Sequence, residues 1–336
     1  MAETRILAGS DPVAIRAAAA AIRSGELAAF PTETVYGLGA NALDAEAVAR
    51  VFAAKQRPAF DPLIVHLADG GEVGRYAQAA DADDPRVAIL AAACWPGPLT
   101  VVLRKRSSIP GIVTAGLETV ALRVPDHPVA HALLEAAGVP IAAPSANRFG
   151  RISPTRAEHV MAQLDGRVGI VLDGGPCRVG VESTVVLLAG GAASLLRPGG
   201  MPAEAIEALI GPLSIPDDRP DTASLAPGRS ISHYAPGAPL TVIGPIEGVE
   251  AAPGERLGLL AADAAGRRAA EASGGPYVAV EVLSTRGDAV EQAARLFEAL
   301  HRLAAADPDR IVAQAVPEVG LGRAIMDRLR RAAATS

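Results

Sequence analysis

Residues 51–67 read VFAAKQRPAFDPLIVHL, and the order of signals in this stretch sets the fold class. Val48, Val51 and Phe52 recur at helical spacing, Lys55 falls in the last turn, and Pro58 closes the helix. Asp61-Pro62 breaks the chain, and PLIVHL (62–67) reads as a buried strand. A helix that hands over at once to a buried strand is a unit of an α/β sheet covered by helices. Two fixed cations, Lys55 and Arg57, and an imidazole, His66, flank that return. Cations complement the dipole at a helix end, and a histidine near a strand is most often a satisfied polar group. A pocket for an anion is the other reading.

The same pattern continues on both sides. Asp11-Pro12 opens a helix whose Ile15, Ala18, Ala19 and Ile22 share a face, and Gly25 stops it. LAAF (27–30) is a short buried strand. Asp44 caps the next helix, with Glu46 in its first turn. Strands are expected at 62–67, 99–104, 119–124, 140–143, 169–172, 183–188 and 194–197, and helices at 86–94, 128–137, 155–164 and 203–210. Between 211 and 239 six prolines interrupt the chain, and neither helical nor alternating periodicity survives. The segment PGRSISHYAP (227–236) inside it carries His233 and Tyr234, large groups for a plain tether. Beyond it, strands at 240–244, 256–260, 277–283 and 310–316 alternate with helices near 262–272, 288–305 and 322–334, which predicts a small parallel sheet. The expected organisation is therefore a mixed α/β domain over 1–210, a Pro-rich linker over 211–239, and a smaller Rossmann-like parallel α/β domain over 240–336.

The chain has 336 residues, 50% apolar and 20% charged, as expected of a folded protein; aromatics are only 3%, so its cores use small and aliphatic side chains. A net charge of −6 argues against wholesale wrapping of nucleic acid, though not against a local basic patch. Cys94 and Cys177 fit no metal-ligand spacing and no disulfide framework. The opening MAETRILAGSDP lacks the pattern of a signal peptide, and no apolar run approaches the roughly 20 residues of a membrane span. A cytoplasmic protein is expected.

Three further stretches carry candidate chemistry. FPTETVYGLGAN (30–41) follows a strand and offers Thr32, Glu33, Thr34 and Tyr36, with Gly37 and Gly39 suited to a sharp turn or a close approach to a ligand. APSANRFGRISPT (143–155) follows the buried strand PIAA and crowds Ser145, Asn147 and Ser153 beside Arg148 and Arg151; ligands of α/β sheets gather outside strand carboxyl ends. A capped helix start near Ser153 accounts for Ser153 but not for Ser145-Ala146-Asn147. Thr119 and Arg123 lie four apart on one strand and so share a face, with Ser183 and Arg197 further on. The chain contains no G-x-x-x-x-G-K-[ST], H-E-x-x-H or G-x-S-x-G motif, and no strand-linked G-x-G-x-x-G.

Taken together, FPTETVYGLGAN, KQRPAFDPLIVH, WPGPLTVVL (95–103), TVALRVPDHP (119–128), APSANRFGRISPT, VESTVV (181–186) and LLRPG (195–199) resemble the YrdC/YciO family, in the family's order and over most of residues 15–210. The linker and extra domain resemble its two-domain members, the L-threonylcarbamoyladenylate synthases. The resemblance implies condensation of L-threonine, bicarbonate and ATP, with Mg²⁺, releasing pyrophosphate. The product would pass to the tRNA threonylcarbamoyltransferase machinery for N6-threonylcarbamoyladenosine formation. It implies Lys55 and Arg57 as the catalytic core. ATP contacts carry over to Arg57, Asp61, Thr119, Ser145, Asn147, Ser153, Arg197 and Tyr234. L-threonine contacts carry over to Thr34, His66, Arg123, Ala143 through its backbone, and Ser183. Asp61 stands where the family commonly has Asn, and a carboxylate there repels phosphates unless a metal or Arg57 intervenes. The Tyr234 segment would close over the cleft.

Three alternatives stay open at this point: an RNA-binding module without catalysis, a carbamoyl-transfer domain of hydrogenase maturation, and a catalytically dead relative. The second normally carries metal-binding cysteine motifs, which two scattered cysteines cannot supply. The sequence names no metal ligands, no oligomeric state and no role for the second domain.

Overall fold

A computed structural model describes residues 3–58, 61–215, 233–244, 246 and 249–334. The strands of the larger unit, in chain order, are β1 (Arg5–Ala8), β2 (Ala28–Phe30), β3 (Gly37–Asn41), β4 (Ile64–His66), β5 (Leu99–Arg104), β6 (Thr119–Arg123), β7 (Ile141–Ala142), β8 (Ile170–Asp173), β9 (Thr184–Leu187) and β10 (Ser194–Arg197). Among the described residues they form one ten-stranded sheet in the order β1-β8-β2-β3-β7-β4-β6-β5-β9-β10. Pairing is mixed: β4 runs parallel to β6 but antiparallel to β7, and β5 runs antiparallel to β6 but parallel to β9.

The sheet is sandwiched because its strands alternate with period two. Ala28 and Phe30 face the helices Pro12–Arg23 and Pro128–Ala137, whereas Ala29 faces the core under Ala45–Lys55 and Pro85–Cys94. Each of these helices starts on a side chain that accepts from its first turn: Asp11, Asp44, Asp84 and His127, satisfying donors that would otherwise be orphaned. The third patch, Ile64, Val102, Ala121, Val185 and Leu196, lies under the site described below.

A second sheet is wholly parallel, in the order β11-β14-β12-β13, with β11 (Leu240–Ile243), β12 (Leu257–Ala261), β13 (Tyr277–Val282) and β14 (Arg310–Gln314). The helix Ala289–Ala305 packs across it and also onto the first unit. Val35, Ile152, Val181 and Tyr234 share one apolar cluster with Leu296, Phe297, Leu300 and Leu329. Gly180 makes that contact feasible: a Cβ there would sit 2.4 Å from the Ala294 carbonyl, and its φ of +74° already favours glycine.

The α/β class and the parallel second sheet agree with the sequence reading, and three details differ. β1 was not anticipated, because its side chains are largely exposed and an edge strand needs no apolar alternation. Residues 37–41 form β3 instead of a loop; a Cβ on Gly39 would meet Ile141 Cγ2 at 2.8 Å and Phe30 Cε1 at 2.9 Å, so this glycine serves packing. The helix expected from 155 begins at Ala157 without a side-chain cap. Of the expected linker, residues 216–232 lie outside the described residues.

Candidate active site

One cavity gathers nine of the predicted site residues: Thr34, Arg57, His66, Arg123, Ala143, Ser145, Ser183, Arg197 and Tyr234 all line it. It sits on the face of the central strands, not beyond one end of them, since Ile64 and His66 of β4 both line it. The mixed topology explains this departure from the rule for open parallel sheets: β7 runs against β4, so residues 143–145 fold back beside Ile64, where Ala143 N–H donates to the Ile64 carbonyl at 2.9 Å.

At one end stands Arg123. Its Nη2 donates to Thr34 Oγ1 at 2.9 Å and its Nε to the Gly97 carbonyl at 3.3 Å. Glu33, with no exposed side-chain surface, holds the same guanidinium at 2.7 Å and accepts from Asp126 N–H through its other oxygen at 3.0 Å. His66 is neutral: burial first, and then Arg123, push it down to about 3. Among the described residues its Nδ1 has no hydrogen-bond partner. Thr34, His66 and Arg123 thus form a compact polar corner with a fixed cation and an unspent imidazole nitrogen, while Ser183 Oγ is tied to Thr100 Oγ1 at 2.7 Å.

At the other end the cations are buried and restrained. Arg57 pairs with Asp61 at 2.8 Å and donates to the Pro62 carbonyl at 3.0 Å. Asp61 therefore answers to Arg57, as its unusual carboxylate requires. Arg197 Nη2 donates to the Ser183 carbonyl at 2.9 Å. Lys55 is 1% exposed and lies behind the wall. Its ammonium donates to the Ser145 and Asn147 carbonyls, so it braces the 145–147 turn in place of lining the cavity. Burial, followed by Arg57, lowers its pKa well below the usual lysine range. Asn147 tightens the same turn, its amide donating to the carbonyls of Arg148 and Arg151, both at 2.8 Å.

Ser153 is not a helix cap; its hydroxyl donates to Glu182 Oε1 at 2.6 Å. Thr119 does share the face of Arg123, but it sits at the far end of β6 opposite Arg104, roughly 13 Å away at strand rise, and does not line the cavity. Tyr234 is fully buried, adopts φ 69° and stacks on Phe297 at 5.3 Å. Beside it, Ala235 N–H donates to the Gly150 carbonyl at 2.7 Å, which seals the described end of the linker against the wall.

Sequence reasoning assigned no site role to four groups here, although it noted Glu33 and His233. Glu33 and Glu182 stood within recognised motifs, but a carboxylate beside an anion site makes sense only once its arginine is known. His233 contacts Phe149 edge-on at 5.7 Å. Arg328, from the helix Leu321–Ala333, ion-pairs with Glu182 at 3.0 Å across 146 residues of chain, and no local pattern predicts that. Among the described residues, no group of three or more His, Cys, Asp or Glu could hold a metal ion.

Known proteins are similar to this chain in sequence and in fold. The Sua5/YciO/YrdC family model, described as telomere recombination, matches residues 20–199, and the model described as the C-terminal domain of threonylcarbamoyl-AMP synthase matches 201–334. A threonylcarbamoyl-AMP synthase of Pyrococcus abyssi is 46% identical over 95% of this chain and 93% of its own length. The Bacillus subtilis protein of that name is 44% identical over 97% and 94%. The crystal structure of P. abyssi Sua5 complexed with L-threonine superposes with a TM-score of 0.88 at 42% identity, covering all of this chain and 98% of that one. The chain therefore belongs to the Sua5/YciO/YrdC family, in its two-domain threonylcarbamoyl-AMP synthase form.

Proposed function

We propose that the cavity condenses L-threonine, bicarbonate and ATP to L-threonylcarbamoyladenylate and pyrophosphate. The observation that carries this reading is the convergence, in one buried cavity, of a carboxylate-binding corner (Thr34, His66, Arg123) and a polyphosphate-binding wall (Arg57, Ser145, Arg197). The L-threonine complex of the similar P. abyssi Sua5 supports it.

In this reading Arg123, whose Nε and Nη2 are held by Gly97, Thr34 and Glu33, offers Nη1 to the threonine carboxylate, while His66 and Thr34 orient the amino acid. The amine nitrogen forms a bond to the carbon of bicarbonate, water leaves, and a carbamate results. A carbamate oxygen then bonds the α-phosphorus of ATP, and the bond from that phosphorus to the β-phosphate bridging oxygen breaks to release pyrophosphate. Arg57 and Arg197 meet the negative charge of this displacement, and Lys55 acts through the 145–147 turn that it holds. No covalent nucleophile is needed; positioning and fixed charge supply the rate. Magnesium enters as part of the substrate, MgATP, because Mg²⁺ is commonly held by phosphates with few protein carboxylates and the nearest ones, Asp61 and Glu182, are committed to arginines. The buried Tyr234 segment keeps water from the carbamate. Delivery of the product to a tRNA threonylcarbamoyl-transfer partner in the cytoplasm completes the proposal; among the described residues no helix is long and apolar enough to cross a membrane.

The test is incubation with MgATP, labelled bicarbonate and a panel of amino acids. Label is expected in one adenylated product, formed with threonine and accompanied by pyrophosphate. ATP turnover indifferent to threonine and bicarbonate would refute the assignment.

A further inference from the structure

Arg328 is the only arginine of the helix Leu321–Ala333 that leaves its own domain's surface to become fully buried, and the largest fully buried side chain among the described residues. Burying a guanidinium costs several kcal/mol unless its partners are well placed. Asp327, its neighbour on the same helix, supplies one of them at 3.1 Å; the others come from outside its domain: Nε donates to Glu182 Oε2 at 3.0 Å, Nη1 donates to the Pro198 carbonyl, and the guanidinium lies 5.8 Å from the centre of the Tyr234 ring. Glu182, Arg197 and Tyr234 all line the cavity, and Pro198 directly follows Arg197.

Glu182 poses a physical problem. It is a buried carboxylate in the wall proposed to face a triphosphate. Burial pushes its pKa up, yet Arg328, Arg197 and the Ser153 hydroxyl together hold it at about 2. It is therefore charged, and two cations compete for it. While Arg328 holds Oε2, Glu182 Oε1 fixes the Ser153 hydroxyl at 2.6 Å, and Arg197 keeps its bonds to Ser183, at 2.9 Å to the carbonyl and 3.3 Å to the hydroxyl. Without Arg328, Arg197 is the next cation in reach, and pairing with Glu182 would draw it off the wall.

We propose that Arg328 is a positioning residue for the nucleotide half of the site: it neutralises Glu182 so that Arg197 and Ser153 stay arranged for a polyphosphate. The parallel-sheet domain thereby completes the electrostatics of a cavity built almost wholly by the other domain. The proposal rests on the nucleotide reading above. It assigns no role to Arg328 in threonine binding, whose corner is held by Glu33, Thr34 and Gly97.

Calorimetric titration of the full-length protein with MgATP and, separately, with L-threonine tests it. Arg328→Gln is expected to weaken MgATP binding by about tenfold or more, as truncating one side of a buried charge pair does, with threonine affinity held within about twofold. Adding Glu182→Gln removes the stranded charge, and the double variant is expected to recover MgATP affinity to within about threefold of the parent. A purely structural role for Arg328 predicts the opposite: the double variant binds no better than Arg328→Gln, and both ligands weaken in parallel. Either result overturns the proposal. If Arg328→Gln does not fold, Arg328→Lys keeps the charge and is expected to bind MgATP within about threefold of the parent; a tenfold loss confined to MgATP in a folded lysine variant would also overturn it. A parent protein that binds threonine but no MgATP would sink the nucleotide reading itself, and this proposal with it.

Discussion

The contact between the two domains is expected to weaken in acid at one identifiable place. His159, on the helix Ala157–Leu164, stacks on His301, on Ala289–Ala305, with ring centres 3.9 Å apart and planes 22° from parallel. Thr155 N–H donates to His159 Nδ1 at 3.3 Å, and His301 Nε2 bonds the Ser153 carbonyl at 3.1 Å. Glu298, Arg156 and Arg302 face the pair. Burial lowers both imidazoles to about 4, and for His301 the neighbouring ring adds to the effect. The unfolded chain, titrating near 6.5, takes up protons first, so stability is complete above that pH, falls between about 6.5 and 4, and levels off below. For one group shifted from 6.5 to about 4, the loss at pH 5 is about 2 kcal/mol. His301 is well buried and carries nearly all of that; His159 is more open, and screening reduces its share to about 1 kcal/mol. Two imidazoliums at this separation would add repulsion of about 4 kcal/mol at an effective dielectric constant of 20, so they do not charge together in the folded state. Urea unfolding at pH 7.5 and 5, for the parent and for His301→Gln, reads the difference. Gln keeps an amide donor for the Ser153 carbonyl, and the acid-linked losses of His66 and His233 are common to both proteins and cancel. The variant is expected to lose about 2 kcal/mol less stability between the two pH values. Equal losses in both proteins would show that this stack does not govern the acid response.

Two substitutions probe the polyphosphate wall. Asp61→Asn should lower unfolding stability by about 1–3 kcal/mol, because Arg57 keeps an amide acceptor but loses its counter-charge. It should also tighten MgATP binding by roughly 3- to 10-fold, because Arg57, which lines the wall, loses the negative charge paired with it from behind; thermal melts and calorimetry separate the two effects, and weaker binding would contradict the assigned geometry. Lys55→Met leaves the Ser145 and Asn147 carbonyls without their donor, at about 1–3 kcal/mol each. Threonine-dependent pyrophosphate release should then fall about a hundredfold, the scale of a misplaced positioning group, while threonine binding stays intact; full activity would remove Lys55 from the site's support.

How much of this was legible from sequence depends on whether the signal was local. The turn from Lys55 to the strand ending at His66 carried its own helix stop, proline break and apolar run, and the strands and helices fell within a few residues of their expected places. The convergence of Arg57, Ser145 and Arg197 was legible only through the family motifs, since those residues reach one cavity by sheet order, which periodicity does not encode. β3 was read as a loop because glycines at 37 and 39 mimic turn chemistry; their real constraint is Phe30 and Ile141 pressing against Gly39. Ser153 looked like a helix cap, because the carboxylate that claims its hydroxyl lies 29 residues further on. Arg328 was invisible among Arg323, Arg330 and Arg331 on the same helix, since only its depth distinguishes it.

The charge pattern follows one logic throughout. Arg123 is held by Glu33, Arg57 by Asp61 and Arg328 by Glu182, each pair within 3.0 Å and scarcely exposed. A cluster of unpaired cations would be costly to bury and free to reorient, so it would capture any phosphate in any pose. A guanidinium restrained on one edge by a carboxylate, and on others by carbonyls, offers its remaining donors in a fixed direction. That is the preorganisation a displacement at phosphorus requires, because the dipoles need not move as charge develops. The carboxylates that stand beside the proposed anion site would thus be part of what makes it selective, and their arginines come from a turn, a strand end and a second domain. A sequence reading that counts charges sees near-cancellation; only the pairing shows which cations are aimed and which serve as their anchors.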